Sequence, residues 1–309
     1  MTAPVDLATR LGPLRLANPV LAASGTFGFG MEMARIAEVR KLGAVVMKSV
    51  TAKPRAGNPP PRIVETPAGM LNAIGLENPG IDGFLKTILP QAGNLGVPLI
   101  ANIAGETVEE YAGLARRLSA EAAGAIVAIE LNVSCPNVGA KGLHFGVAPK
   151  LLRGLVAAVR AETKLPLIVK LSPNVTDIVE VAKSALAGGA DALTLINTLL
   201  GLAVDVPARR PKLANVTGGL SGPAVKPVAL RMVHQVWRAT GAPIIGLGGI
   251  TNAEDALEFI VAGATAVAVG TWNFVEPAAA AELPERIAAR AAELGAGSVA
   301  ELVGTLKID

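Results

Sequence analysis

Cysteine, histidine and aromatic residues are scarce in this chain: among 309 residues there are one cysteine, two histidines, and only 3% Phe, Trp and Tyr together. A single thiol, Cys135, excludes an intramolecular disulfide and any metal site built from several cysteines. What remains for it is an inert buried residue or a working acid, base or nucleophile. No basic run exceeds the two residues Arg209-Arg210, and the formal net charge is +3, so the basic stripe with interleaved aromatics of a nucleic-acid binder is missing. Apolar runs are broken by Gly, Pro or charge, and residues 1–10 have no apolar core, so neither a membrane span nor an export signal is expected. With one cysteine and no such signal, the expected location is cytoplasmic.

What is abundant is small and aliphatic. The chain is 51% hydrophobic and 17% charged, with 34 glycines, a globular profile with ample core material. Short apolar, β-branched runs recur at 19–24, 44–50, 98–103, 126–133, 166–171, 192–197, 243–247 and 266–270. Continuous apolar runs suit parallel strands buried on both faces. The stretches between them read as helices. Thr107 caps one, followed by Glu109 and Glu110 and an apolar face of Tyr111, Leu114, Ala115 and Leu118. Asn252 caps another, followed by Glu254, Asp255, Leu257, Phe259 and Ile260. Eight strands alternating with helices predict a (β/α)8 TIM barrel, as a single domain over residues 1–309; a doubly wound open sheet is the competing arrangement. Residues 7–16 around Gly12-Pro13 predict a small hairpin at the barrel bottom, and residues 51–80 and 199–223 predict long structured loops over the C-terminal face.

In a barrel the chemistry sits at the carboxyl ends of the strands. There the sequence places Ser24, then Lys48-Ser49, Asn102, Asn132 with Cys135, Lys170, Asn197-Thr198, Gly248-Gly249 and Gly270-Thr271. Paired carboxylates and metal-binding clusters are missing from this set. Glycine turns after the last two strands, joined by Gly222, would let backbone N–H groups approach a phosphate; the plainer reading is a set of tight turns. Lys48 and Lys170 are costly inside apolar strands unless they meet an anion or snorkel to solvent. Asn72, Asn132, Asn197 and Thr198 suit a small planar polar ligand, although each alone also reads as a cap or turn residue. His234 reads as a helix residue and His144 as a loop residue. Gly25, Gly28 and Gly30 do not have dinucleotide-fingerprint spacing.

These residues carry a resemblance. Glu130-Leu131-Asn132-Val133-Ser134-Cys135-Pro136-Asn137, Asn72-Ala73-Ile74-Gly75-Leu76, Asn197-Thr198 and Gly218-Gly219-Leu220-Ser221-Gly222-Pro223 make the chain resemble the class 1 dihydroorotate dehydrogenases, from about Leu7 to Leu306. The resemblance implies one FMN per chain and oxidation of dihydroorotate to orotate in pyrimidine synthesis. It implies Cys135 as the base at carbon 5, with hydride passing from carbon 6 to the flavin, and the 134–146 loop as a lid. Lys48, Asn72, Ala73, Ile74, Gly75, Leu76, Asn132, Asn197 and Thr198 would hold the substrate. Ser24, Lys48, Ser49, Asn102, Asn132, Lys170, Ile196, Gly222, Gly248, Gly249, Gly270 and Thr271 would hold FMN. Class 2 enzymes use a serine base and an N-terminal apolar helix, so class 1 is favoured. The stretches 72–80 and 208–226 look like the NAD-linked type, which implies a homodimer within a heterotetramer whose partner subunit carries FAD and a [2Fe–2S] cluster. That cluster normally takes four thiolates, so one cysteine places it elsewhere. The fumarate-linked homodimer is the alternative subclass. A tRNA dihydrouridine synthase, also an FMN barrel, would need a basic surface; a passive flavin- or phosphate-binding barrel would not need Asn132, Cys135 and both lysines.

Overall fold

A computed structural model describes residues 4–134 and 145–308. The eight expected strands form: β1 (Val20–Ala22), β2 (Ala44–Val46), β3 (Leu99–Ile103), β4 (Ala128–Asn132), β5 (Leu167–Lys170), β6 (Ala192–Leu195), β7 (Ile244–Leu247) and β8 (Ala266–Val269). Each pairs in parallel with its neighbour in the chain, and β8 closes onto β1 through Val267↔Val20 and Val269↔Ala22. The closed barrel is the TIM fold expected from the sequence, and closure rules out the open sheet. Six longer helices among the described residues surround it: α1 (Val108–Glu121), α2 (Pro149–Glu162), α3 (Ile178–Ala187), α4 (Lys226–Thr240), α5 (Ala253–Ala262) and α6 (Ala279–Glu293). The expected caps are present. Thr107 Oγ1 accepts from Glu110 N at 3.2 Å, and Asn252 Oδ1 accepts from Asp255 N at 3.0 Å.

The strands end earlier than their apolar runs. Met47, Lys48 and Ser49 leave the β2 ladder before Val50 rejoins β3 by an isolated bridge to Ile103. Likewise Ile196 and Asn197 lie beyond the end of β6. An apolar run records burial, and burial continues past the last ladder bond, so the run overshoots the strand.

Side chains alternate across a strand, so one set fills the barrel and the other meets the helices. Ile129 and Leu131 of β4 face outward, in one cluster with Leu114 and Leu118 of α1 and Leu152 and Leu155 of α2. Inward lie Leu21, Ala44, Ile100, Ala128, Ile168 and Ile245. The N-terminal hairpin, Thr9–Leu11 paired with Leu14–Leu16, adds Leu11, Leu14 and Leu16 to that inner cluster and plugs the barrel bottom. Two residues further along four of these strands, the inward position turns polar. Ile100 gives way to Asn102, Ala128 to Glu130, Ile168 to Lys170 and Ala192 to Thr194. The barrel is therefore apolar below and polar above.

The two long connections become one structure. Ile63–Thr66, Gly69–Asn72, Thr217–Ser221 and Leu199–Leu202 pair into a four-stranded antiparallel sheet, with Leu71, Ala73 and Leu213 forming a small core of its own. Residues expected as loops are thus strands, and the pairing joins segments far apart in the chain.

The hairpin plug yields a stability test. Leu11 is 1% exposed, so Leu11→Ala should lower unfolding free energy by about 2–5 kcal/mol in urea titrations. A loss under about 0.5 kcal/mol, the range of ordinary surface changes, would mean the hairpin is dispensable cover.

Candidate active site

A cavity of about 520 Å³ opens at the carboxyl ends of the strands, beneath the antiparallel sheet. That volume lies within the usual range for small-molecule sites. The turn after β1 contributes Ser24, the turn after β2 Lys48 and Ser49, and β4 Asn132. Lys170 comes from β5, and Ile196, Asn197 and Thr198 follow β6. Gly248 and Gly249 follow β7, Gly270 and Thr271 follow β8, and Gly222 arrives from the long connection. The block Asn72, Ala73, Ile74, Gly75 and Leu76 forms the wall on the side of the antiparallel sheet. Asn102 is the exception among the described candidates: it is fully buried one layer below the cavity floor. Cys135 lies outside the described residues, as do His144 and most of the expected lid. Ser134, which precedes Cys135, lines the cavity.

The wall block is held by amides. Asn78 accepts from Thr51 N at 3.2 Å and Gly80 N at 2.8 Å, and donates to Thr51 Oγ1 at 2.8 Å and Leu76 O at 2.7 Å. Asn58 N donates to Ile74 O at 2.9 Å, and Asn58 Nδ2 donates to Ala73 O at 2.8 Å. Leu76 is fixed at φ +57°, a left-handed conformation uncommon for a side chain of that size and a form of strain that gathers at functional sites.

From the cavity lining into the barrel runs a directed chain of hydrogen bonds. Asn197 Nδ2 donates to Asn132 Oδ1 at 3.2 Å, and Asn132 Nδ2 donates to Ser49 Oγ at 3.4 Å. Ser49 Oγ donates to Asn102 Oδ1, and Asn102 Nδ2 donates to Glu130 Oε1 at 2.6 Å. Thr194 Oγ1 donates to the other carboxylate oxygen, Oε2, at 2.7 Å. Each donor points toward Glu130, which as a carboxylate only accepts. At the strand end, Tyr111 OH donates to Asn132 O at 2.6 Å, and the Tyr111 ring meets Phe145 edge-on at 6.1 Å. These contacts fix the backbone on either side of the undescribed 135–144 stretch.

Charge is sparse here. Among the described residues, neither the Lys48 nor the Lys170 ammonium makes a hydrogen bond or ion pair, and both residues line the cavity. Lys170 is 6% exposed; burial pushes its ammonium below the ordinary lysine range, and the Glu130 charge opposes that shift. A buried ammonium without a protein partner is a site for an anion. Elsewhere, Gly222, Gly248 and Gly249 take φ of +100°, +138° and +76°. A Cβ on Gly249 would stand 2.9 Å from both Gly222 O and Lys226 Cβ, so this turn excludes a side chain and leaves backbone N–H groups exposed to a ligand. Asp255 locks the turn. It accepts from Thr251 N at 2.9 Å, Thr251 Oγ1 at 2.6 Å and Lys226 Nζ at 2.6 Å, joining the β7 turn to the start of α4. A ring of this size with a phosphate tail, such as FMN, fits the combination of cavity, glycine cradle and unpartnered lysine.

Three residues at or below the site escaped the sequence reading. Glu130 was visible as an acid inside the apolar strand Ile129-Glu130-Leu131, but its partners are 28 and 64 positions away. Thr194 looked like an ordinary β-branched strand residue, and Asp255 like the acid of a helix first turn. His234, expected to be structural, sits on α4 with Nδ1 3.3 Å from Ala262 O. Among the described residues no cluster of three or more His, Cys, Asp or Glu could hold a metal ion, and no helix is long and apolar enough to cross a membrane.

Comparison with known proteins gives the same direction. Residues 6–290 match the family described as dihydroorotate dehydrogenase. A Trichlorobacter lovleyi protein named dihydroorotate dehydrogenase B (NAD(+)), catalytic subunit, is 56% identical over 97% of this chain and 98% of its own length. A Desulforudis audaxviator protein of the same name is 55% identical over 97% of each chain. A Geotalea daltonii protein, again of that name, is 53% identical over 98% of this chain and 99% of its own. With a family match across nearly the whole barrel and full-length relatives above half identity, the chain belongs to the dihydroorotate dehydrogenase family.

Proposed function

We propose that this chain oxidises dihydroorotate to orotate at the mouth of its barrel, using one FMN, in pyrimidine synthesis. In a member of this family, the observation that carries the reading is one cavity holding two lysines without protein partners, the amides of Asn72, Asn132 and Asn197, and the Gly222, Gly248 and Gly249 cradle. FMN, when bound, supplies the hydride acceptor and gathers negative charge at its pyrimidine edge.

The chain's own residues divide the remaining work. Gly222, Gly248, Gly249, Gly270 and Thr271 would hold the phosphate end. Ser24, Lys48, Ser49, Asn132 and Ile196 would hold the rest of the cofactor, with Asn102 supporting Ser49 from below rather than touching the ligand, and Lys170 would supply positive charge to it. Lys48, Asn72, Asn132, Asn197 and Thr198, with the backbone of Ala73, Ile74, Gly75 and Leu76, would orient the substrate. Cys135 would take the proton from carbon 5. An ordinary thiol titrates near ~8.5, so substrate oxidation should accelerate as pH rises through that value.

The names of the relatives, each a catalytic subunit linked to NAD(+), support a partner subunit for this chain as well. We read the assembly as a homodimer within a heterotetramer, cytoplasmic, with FAD and [2Fe–2S] on the partner. A single cysteine fits that division, since the cluster needs thiolates this chain does not supply. Residues 1–309 would then act as one catalytic barrel domain.

Two experiments test these assignments. Dihydroorotate added anaerobically to the FMN-loaded chain should bleach the flavin band near ~450 nm. Cys135→Ala should keep FMN and slow that bleaching by at least about 10²–10⁴-fold. A normal rate in the variant would reject Cys135 as base, and no bleaching in the parent would reject the substrate. Asp255→Asn should weaken FMN binding about tenfold, the effect of removing one charge-assisted contact, while leaving riboflavin binding unchanged. Equal losses for both ligands would reject the phosphate assignment of the glycine cradle.

A further inference from the structure

Glu130 is a buried acid that the reaction does not use directly. It is 1% exposed, inside the barrel, one inward layer below Asn132 on the same strand. Strand register places Glu130 beside Ile168, and Lys170 beside both Asn132 and Thr194. The carboxylate is bonded to Thr194, the register neighbour of Lys170 on β6, and unlike Lys170 it does not line the cavity. No ion pair joins them. Both carboxylate oxygens are engaged by other groups: Asn102 Nδ2 from β3 at 2.6 Å and Thr194 Oγ1 from β6 at 2.7 Å.

This arrangement separates two effects that usually come together. A carboxylate in contact with a lysine keeps it protonated but also cancels its field. A carboxylate held a short way off, in a medium of low dielectric, still favours the protonated lysine while leaving the ammonium free to meet another anion. Burial alone works against the charged form of Lys170, and Glu130 is the counterweight.

Resting on the FMN reading above, we propose that Glu130 is a positioning residue: tethered by Asn102 and Thr194, it keeps the Lys170 ammonium charged and unpaired for the flavin. The tethers hold the carboxylate off the cavity lining, and the directed chain Asn197–Asn132–Ser49–Asn102 ends on it. Lys170 is left as the only charged side chain of this inner layer that faces the cavity, among the described residues.

The sign of the effect on the flavin midpoint potential tests this. Removing the Glu130 charge acts in two opposed ways. Directly, loss of a negative charge beneath the flavin favours the reduced form. Through Lys170, loss of its ammonium disfavours the reduced form. The potential is measured on FMN-loaded chain by dye-equilibrated spectroscopy, for the parent, Glu130→Gln, Lys170→Met and the double variant. The expected result is a lower potential for Glu130→Gln, by at least tenfold in the oxidised-to-reduced ratio, about 30 mV for a two-electron couple. In the Lys170→Met background the same change should raise the potential or leave it unmoved. A shift of the same sign and size in both backgrounds, or no lowering in the parent background, would overturn the proposal, because a merely structural role does not depend on Lys170. Should Glu130→Gln fail to retain FMN, Thr194→Val frees one carboxylate oxygen to move toward the ammonium. It should lower the potential with Lys170 present and not in its absence; an unchanged potential would overturn the tethering. Failure of the parent chain to bind FMN at all would strike the functional reading, a separate outcome.

Discussion

A closed parallel barrel has a cross-section that must be filled, and the period-two alternation of its strands decides with what. In this chain the filling changes character within one step of the alternation. Ala128, Ile100, Ile168 and Ala192 pack against the hairpin leucines, and the next inward residues are Glu130, Asn102, Lys170 and Thr194. Polar groups at that depth are tolerable only when bonded, since an unsatisfied buried partner costs about 1–3 kcal/mol. The Glu130 carboxylate meets that requirement for β3 and β6 together, with donors from both. The upper floor of the barrel is thus organised around a single acceptor. The orientation of each amide above it, as far as Asn197, follows from where the donors must point.

The barrel was legible because its determinants are local. Apolar runs, Thr107 and Asn252 as caps, and the apolar face of α1 are all readable within a dozen residues. The antiparallel sheet over the mouth was not. Thr217–Ser221 carries two adjacent glycines, which read as a loop, and its partners are residues 69–72 on one side and 199–202 on the other. Strand character there comes from pairing across the fold, which no local pattern carries. The candidate site divides the same way. Residues at strand ends could be identified by position, and all the described ones but Asn102 line the cavity. Asn102 is set one layer down because it sits within the β3 ladder, opposite Glu130, whereas Ser49 and Ile196 follow the ends of their strands. Glu130, Thr194 and Asp255 were invisible as functional residues because their importance lies in contacts spanning 28 to 64 positions or in which face they present.

Preorganisation explains why so much of the site is rigid and yet internally incomplete. Asn78 fixes the wall, Asp255 fixes the glycine cradle, and Tyr111 fixes the backbone of Asn132. Against these, the Lys48 and Lys170 ammonium groups of the cavity lining are without protein partners among the described residues. Groups fixed before the ligand arrives need little reorganisation when charge develops, and their fields act more strongly where the bound ligand excludes water.

Such a site is costly to the empty protein. Desolvating Lys170 opposes its charge, and Leu76 is kept in a backbone region that favours glycine. Both costs are located where a bound anion and a bound ring would relieve or use them, while the fold's stability comes from elsewhere: the hairpin plug, the outward aliphatic faces and the capped helices. Stability and chemistry are therefore divided along the barrel axis, with packing at the amino ends of the strands and strain at the carboxyl ends. Substitutions in the lower layers should be felt as loss of folding, and those in the upper layer as changes in what the site can hold and how strongly it draws electrons.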